Sequence, residues 1–435
     1  MRILHVSDIH IGVENYGRPA TELDVQSLPD YFAPGVDRAT YLGISTRLLD
    51  FLASFDQVVQ YAIDNLIDLV LFAGDAYKSR DPSQTQQREF VRRIARLADA
   101  GIPVFLTVGN HDLPHVANRA TSLEIFPTLN VEKVFVGQTL ETHRVTTASG
   151  DIQVVALPWI RIGQFMARDE TRGLSLEHIK SEVEERLSGL LRDEVEQLDP
   201  DVPAVLCAHV NIAGATAASE RSMMLGNDHI LGLGTVAIPE FDYVALGNIH
   251  KHQVLSRVPP VVYAGSIERV DFSEEKEPKG FIVAEIDPER NRGQRTVDWR
   301  FVEVDARPMR TIAVQCLPGD DPTQKTLEAI VRLGDKALQD SLVRVRVEMA
   351  ADQELSFHEP SVRSALSNTH LVTGIERKVH HERRTRIDTD EAERLGPLEA
   401  LSKYLASKGT PEAAEKKLSE YAQRLLVEEI EGVSE

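Results

Sequence analysis

Ile102-Pro103-Val104-Phe105-Leu106-Thr107-Val108 runs directly into Gly109-Asn110-His111-Asp112. The seven apolar-rich residues carry no helical period and read as a strand buried on both faces. The turn at its carboxyl end presents an amide oxygen, an imidazole and a carboxylate, groups suited to metal binding and proton transfer. Asn, His and Asp are also ordinary turn residues, so one such turn has little weight. The weight comes from repetition. Ile3-Leu4-His5-Val6 leads into Ser7-Asp8-Ile9-His10, and Asp68-Leu69-Val70-Leu71-Phe72-Ala73 leads into Gly74-Asp75. Ala204-Val205-Leu206-Cys207-Ala208 leads into His209, and Tyr243-Val244-Ala245-Leu246 leads into Gly247-Asn248-Ile249-His250. In open α/β sheets ligands collect outside the carboxyl ends of the strands, so these five ends are expected to converge on one site.

The order Asp-x-His, Gly-Asp, Gly-Asn-His-Asp, His, Gly-x-x-His resembles that of the calcineurin-like metallophosphoesterases. Gly101-Ile102-Pro103, Tyr263-Ala264-Gly265-Ser266-Ile267-Glu268-Arg269, Phe272 and Lys279-Gly280-Phe281 make the chain similar to the SbcD-type (Mre-like) nuclease branch rather than to the phosphatases. The resemblance covers residues 1–290. It implies an α/β fold, a two-sheet metallophosphoesterase sandwich with a smaller α/β capping domain and C-terminal helices. It also implies two divalent metal ions, for which the carboxylate, imidazole and amide donors suit Mn²⁺. Asp8, His10, Asp75 and His250 would hold one ion, and Asp75 would bridge to a second held by Asn110, His209 and whatever Asn248 supplies. Two ions roughly 3.5 to 4 Å apart grip a phosphodiester, lower the pKa of a bound water and offset charge on the attacking and leaving oxygens. His111 would stand over the phosphate as a catalytic residue, stabilising the transition state or protonating the leaving oxygen. Asp112, the other candidate catalytic residue, would orient the turn or that imidazole.

Two positions depart from the branch. Asn248 stands where its members usually have His, and Lys78, three residues after Asp75, stands where they often have His. His252 does not restore the motif, because alignment on Gly247 and Gln253 leaves it outside the ligand register. With an amide in place of an imidazole, the second metal is expected to be held more weakly and cleavage to be reduced. The resemblance implies a metal-dependent DNA exonuclease and endonuclease subunit of break repair. Its partners would be DNA, an SbcC-type SMC-like ABC ATPase and a second copy of the chain as a homodimer. Two rival readings remain open: a small-substrate phosphoesterase sharing the metal core, and a scaffold subunit that binds DNA and has lost activity through Asn248.

A chain of 435 residues has room for two or three domains, here expected at 1–300 (nuclease), 301–388 (DNA-positioning cap) and 389–435 (C-terminal helices that bind the ATPase). No apolar stretch is long enough to cross a bilayer, and Met1-Arg2-Ile3 begins directly in the first strand. A cytoplasmic, nucleoid-associated protein is therefore expected. Cys207 and Cys316 are the only cysteines, each flanked by apolar strand residues, and read as reduced core thiols. The net charge of −20 argues against indiscriminate coating of DNA, whose nonspecific affinity comes from Lys and Arg on phosphates. DNA as a substrate is still compatible with it, since metals supply positive charge at the scissile phosphate.

Residues 13–41 form a long connection holding Tyr16, Tyr31, Phe32 and Tyr41, available either to stack on bases or a neighbouring subunit or to pack locally. Helical periodicity marks residues 44–66, a start at Asp81-Pro82-Ser83, and residues 175–198. Past residue 300, strands at 310–317 and 342–347 flank one helix running from Asp321-Pro322 to Leu338. Arg377, Lys378, His380, His381, Arg383, Arg384 and Arg386 are the most basic stretch, either a phosphate contact or an exposed strand face. Helices at 397–407 and from Glu412 to about Ile430 close the chain, either docking back or lying in a partner's groove.

Overall fold

The computed structural model describes residues 1–114, 119–161, 175–216, 230–380, 396–407, 410 and 412–431. The chain forms two compact units, one of Met1–Val314 with Thr326–Arg346 and Glu359–Glu376, the other of Gln315–Lys325, Val347–His358 and Arg377–Glu435. Its strands are β1 (Arg2–Val6), β2 (Leu69–Phe72), β3 (Val104–Thr107), β4 (Val134–Gly137), β5 (Glu141–Thr147) and β6 (Gly150–Leu157). Next come β7 (Ala204–His209), β8 (Asn211–Ile212), β9 (Ile230–Leu231), β10 (Tyr243–Gly247), β11 (Gln253–Arg257) and β12 (Pro260–Tyr263). The last are β13 (Gly280–Ile286), β14 (Thr296–Glu303), β15 (Met309–Gln315), β16 (Leu342–Ala350) and β17 (Leu371–His380).

Two six-stranded mixed sheets, ordered β14-β13-β1-β2-β3-β4 and β11-β12-β10-β7-β6-β5, build an α/β sandwich. The period-two alternation of strand side chains explains the layering. Ile3, Leu69, Leu71 and Phe105 of the first sheet meet Val205, Cys207, Tyr243 and Ala245 of the second in one core between the sheets. The alternate residues Leu4, Val70, Phe72 and Leu106 face outward onto Leu48, Phe55 and Val59 of the helix Thr46–Asp64 and onto Phe90 of Gln84–Asp99. On the far side Leu206, Val244 and Val261 pack on Ile179, Val183 and Leu187 of the helix Leu176–Glu196. Both faces of each central strand are covered, which is why these runs are apolar throughout.

The five motif-bearing strand ends therefore belong to two sheets rather than to one open sheet. β1, β2 and β3 are parallel neighbours in the first, and β7 and β10 are parallel neighbours in the second. The helix Gln84–Asp99 between β2 and β3 starts on a capping box, Ser83 accepting from the Gln86 amide and Gln86 from that of Ser83.

A third sheet has the order β15-β16-β17. The single helix expected before β16 is two, Pro322–Leu333 and Asp335–Leu338, because Gly334 between them takes φ +82° and breaks the helical ladder. Cys207 is buried between the sheets as expected, but Cys316 falls just past β15 and is only half-buried. Arg377, Lys378 and His380 lie on exposed positions of β17, where Lys378 pairs with Glu348 at 2.8 Å and Arg377 covers the Phe357 ring. His381, Arg383, Arg384 and Arg386 lie outside the described residues. In the long connection the aromatics pack locally: Phe32 and Tyr41 are buried edge to face, and Tyr16 meets Phe272. The tail forms the helices Pro397–Ser407 and Glu412–Glu431, which contact each other. No described helix is long and apolar enough to cross a membrane.

Candidate metal centre

Three turns at the ends of β1, β2 and β3 are stitched together by their backbones. The Asp8 amide donates to Gly74 O at 3.0 Å and the His10 amide to Asp75 O at 3.1 Å. Asp112 completes the stitching. Its buried carboxylate accepts from the amides of Asp75 at 2.9 Å, Ala76 at 3.0 Å and Gly109 at 2.9 Å. Asp112 thus faces the two turns and not the cluster of ligand atoms. Gly109 is required by close approach, since a Cβ there would lie 2.2 Å from Asp75 Oδ1. Gly247 is required likewise, because its Cβ would lie 1.9 Å from Ala73 O, where the two sheets' strand ends meet.

Three overlapping triads of ligand atoms result: Asp8, His10 and His250; His10, Asp75 and His111; and Asp8, Asp75 and His209, with the atoms of each within 4.8 Å of one another. Asp8, His10 and Asp75 each belong to two triads. The Asn110 side-chain amide reaches the same cluster, its nitrogen oriented to donate to His209 Nε2 at 3.0 Å and to Asp75 Oδ2 at 3.0 Å. Asp8, His10, Asp75 and Asn248 adopt backbone of positive φ, at +53°, +49°, +60° and +97°, a conformation uncommon for residues with a side chain and most often taken by Asn, Asp and His.

The imidazoles are held by one nitrogen and presented by the other. His209 donates from Nδ1 to Ala73 O at 2.7 Å, and His111 from Nδ1 to Lys78 O at 2.7 Å. His250 donates from Nδ1 to Glu274 Oε1 at 2.9 Å. Each Nε2 is thereby turned to the cluster, that of His209 lying 3.5 Å from Asp75 Oδ1. His250 Nε2 and His10 Nε2 stand only 2.9 Å apart, while His10 Nδ1 is buried without a partner among the described residues. Two carboxylates and facing imidazoles, all buried except the half-buried His111, form a donor set that a divalent cation satisfies. The residues present fit a metal.

Charge is distributed unevenly here. Burial drives the Asp8 carboxyl up to about 6 and the Asp112 carboxyl up to about 7. Burial acts on Asp75 in the same direction, but the nearby His209, His111 and His10 overrule it and hold Asp75 well below the usual carboxylate range. Burial lowers His209, yet the Asp75 carboxylate prevails and raises it to about 9. His10 and His111 are both pushed down, first by burial, and Lys78 is lowered by the same cause.

Asn248 enters by its backbone, which donates to both Asp8 carboxylate oxygens at 3.1 Å, while its side-chain nitrogen donates to Asn211 Oδ1. Its amide oxygen is the side-chain atom left as a ligand. His252 stays apart, with Nδ1 bonded to Tyr263 O and its ring stacked on Phe301. Reading the motifs overlooked Glu274, which holds His250 and is itself buried against Lys279 at 2.7 Å. Nothing in Glu274-Glu275-Lys276-Glu277 singles out the one acid that folds inward.

With these turns at the carboxyl ends of a two-sheet sandwich, the chain belongs to the calcineurin-like phosphoesterases, whose family model matches residues 1–252. Among curated proteins it is 26% identical over 355 residues to the DNA double-strand break repair protein Mre11 of Haloferax volcanii, covering 80% of this chain and 61% of that protein. It is 22% identical over 295 residues to the SbcD component of nuclease SbcCD of Bacillus subtilis, covering 66% of this chain and 67% of that one. To the SbcD component of Escherichia coli K12 it is 23% identical over 285 residues, covering 63% and 62%. The chain thus spans less than two thirds of the length of the Haloferax and Escherichia relatives.

Proposed function

We propose that this chain is a two-metal DNA nuclease subunit of the SbcD type, cutting phosphodiester bonds with Mn²⁺ and working with an SbcC-type SMC-like ABC ATPase in break repair. The observation that carries the reading is the set of overlapping triads, in which Asp8, His10 and Asp75 each recur, an arrangement that supports adjacent cation sites sharing a carboxylate. Asp8, His10, Asp75 and His250 would hold the first ion, and Asp75, Asn110, His209 and the Asn248 amide the second. Bound there, the ions would supply Lewis-acid charge to the phosphate and an activated water. The likeness to nuclease subunits and to a double-strand break repair protein favours DNA.

The chain's own residues do the rest. Asp112 fixes the β2 and β3 turns through three amides, so Asp75 cannot swing away from the cluster. His111 is neutral near pH 7, because burial lowers it, and its Nδ1 is tied to Lys78 O. An anionic phosphate beside it would raise its proton affinity, and the protonated ring would then donate from Nε2 to the leaving oxygen. Cations gather at this edge of an acidic chain: Lys78 acts on His10 and His111, and Arg80 on Arg161. Such a rim suits a polyanion.

The test offers end-labelled DNA and p-nitrophenyl phosphate in parallel, with Mn²⁺, to the wild type and to Asp75→Asn. Chelator-sensitive DNA cleavage by the wild type, lost in a folded Asp75→Asn variant that also binds Mn²⁺ weakly, is expected. Monoester hydrolysis without DNA cleavage would replace the reading by a small-substrate phosphoesterase. DNA binding with neither metal uptake nor cleavage would make the chain a scaffold.

A further inference from the structure

Next to the metal centre lies a cavity of about 410 Å³ that the mechanism above does not use. Arg119, Thr121, Gln138, Trp159, Arg161 and Leu187 are among its walls. Trp159 is half-buried, and its position relative to the centre is set by the backbone. Its amide donates to Val108 O at 2.9 Å, one residue before the Gly109 turn. Its indole lies against the His209 imidazole, ring centroids 6.0 Å apart and planes at 67°. One edge of the ring therefore borders a proposed metal ligand while the ring also lines the cavity. Thr121 brings a hydroxyl that has no partner among the described residues, and Gln138 an amide.

We propose that this cavity receives the nucleobase of a nucleotide next to the scissile phosphate, with Trp159 as its stacking surface; the inference rests on the nuclease reading and specifies how that site holds its substrate. The volume falls within the range of about 300 to 1,000 Å³ usual for small-ligand pockets. A bare phosphate has no use for an indole, and an apolar ligand has none for Thr121, Gln138 and two guanidinium groups. A nucleobase uses all of them, since its face stacks, its edge donates and accepts hydrogen bonds, and the attached backbone phosphates meet Arg119 and Arg161. Stacking on an aromatic ring accepts any base, so the cavity selects nucleotides without selecting sequence.

The experiment compares single-stranded oligonucleotides that carry either normal thymidine or abasic residues around the cleavage position. The wild type is expected to cut the base-bearing strand about 10- to 100-fold more efficiently in kcat/KM. Trp159→Ala should collapse the ratio of base-bearing to abasic cutting toward one, whatever it does to the absolute rate, while Trp159→Phe should keep most of that ratio. Binding is read separately from cleavage. In a Trp299→Phe background Trp159 is the remaining tryptophan of the two, and oligothymidylate is expected to quench its fluorescence more than the abasic strand does. Equal cutting of both strands by the wild type, or a Trp159→Ala variant that keeps the preference, overturns the proposal. Equal quenching by the two strands does so too. If the wild type cuts neither strand the nuclease reading fails, and the quenching comparison still decides the cavity.

Discussion

Asp75 lies in two of the three triads of candidate ligands, and its surroundings keep it ionised. Its Oδ1 accepts from the His111 amide at 2.9 Å, and the neighbouring imidazoles, His209 first among them, outweigh its burial. Residues of this kind were legible in the sequence, because each follows an apolar run and stands in a turn of Gly, Asp, Asn or His. The residues that hold the ligands were not legible, since they act across the chain: Glu274 reaches His250 over 24 residues and Asn211 reaches Asn248 over 37. Glu274→Gln keeps a hydrogen-bonding partner at His250 but removes the charge that strengthens it as a donor. Mn²⁺ affinity at the first site is expected to fall about 10- to 100-fold by calorimetric titration, in keeping with the loss of other carboxylate supports of metal-bound histidines. An unchanged isotherm would mean that His250 is not a ligand. At Asn248, an amide oxygen replaces what the nuclease branch supplies as an imidazole, and the side-chain nitrogen is already committed to Asn211. Asn248→His is expected to tighten the weaker of two Mn²⁺ binding steps and raise DNA cleavage at limiting metal. Two tight steps in the unchanged protein would show that the amide suffices.

Each strand was recognisable as an element because burial on both faces makes it apolar without a helical period. Its sheet was not recognisable, because β1 and β7 have the same apolar character although one joins the first sheet and the other the second. The helix from 321 to 338 divides for a local reason, the positive φ of Gly334, that apolar spacing does not reveal. His5 on β1 marks the junction between the sheets. It is fully buried, with Nδ1 3.1 Å from Tyr243 Oη and Nε2 3.2 Å from Leu246 O, both on β10. Burial pushes its pKa down from 6.5 to about 3. Above pH 6.5 both folded and unfolded forms are neutral and titration contributes nothing. As pH falls from 6.5 toward 3, the unfolded chain takes up a proton that the folded chain refuses, and stability is lost. By pH 4 this group alone is expected to cost about 3 kcal/mol. Denaturant melts of wild type and His5→Gln at pH 7, 5 and 4 isolate the contribution, because the variant should lose less stability on acidification. Equal losses would show that His5 is not held neutral by the fold.

Over the whole molecule, a net charge of −20 coexists with three cations, Lys78, Arg80 and Arg161, of which Lys78 lies close enough to the candidate site to act on His10 and Arg80 close enough to act on Arg161. Tyr404, Leu418 and Tyr421 of the tail's two helices are exposed, and on the proposed reading they would lie in a partner's groove. Deleting residues from Pro397 onward is expected to leave Mn²⁺ binding intact and to abolish co-purification with an SbcC-type ATPase. Retained association would place the partner site elsewhere, and loss of folding would mean that the helices support the rest of the chain. The two-metal site itself is tested most directly by anomalous diffraction from crystals soaked in Mn²⁺. Two peaks are expected roughly 3.5 to 4 Å apart, one on either side of Asp75, with the second weaker. A single peak, or none among Asp8, His10, Asp75, His209 and His250, would contradict it.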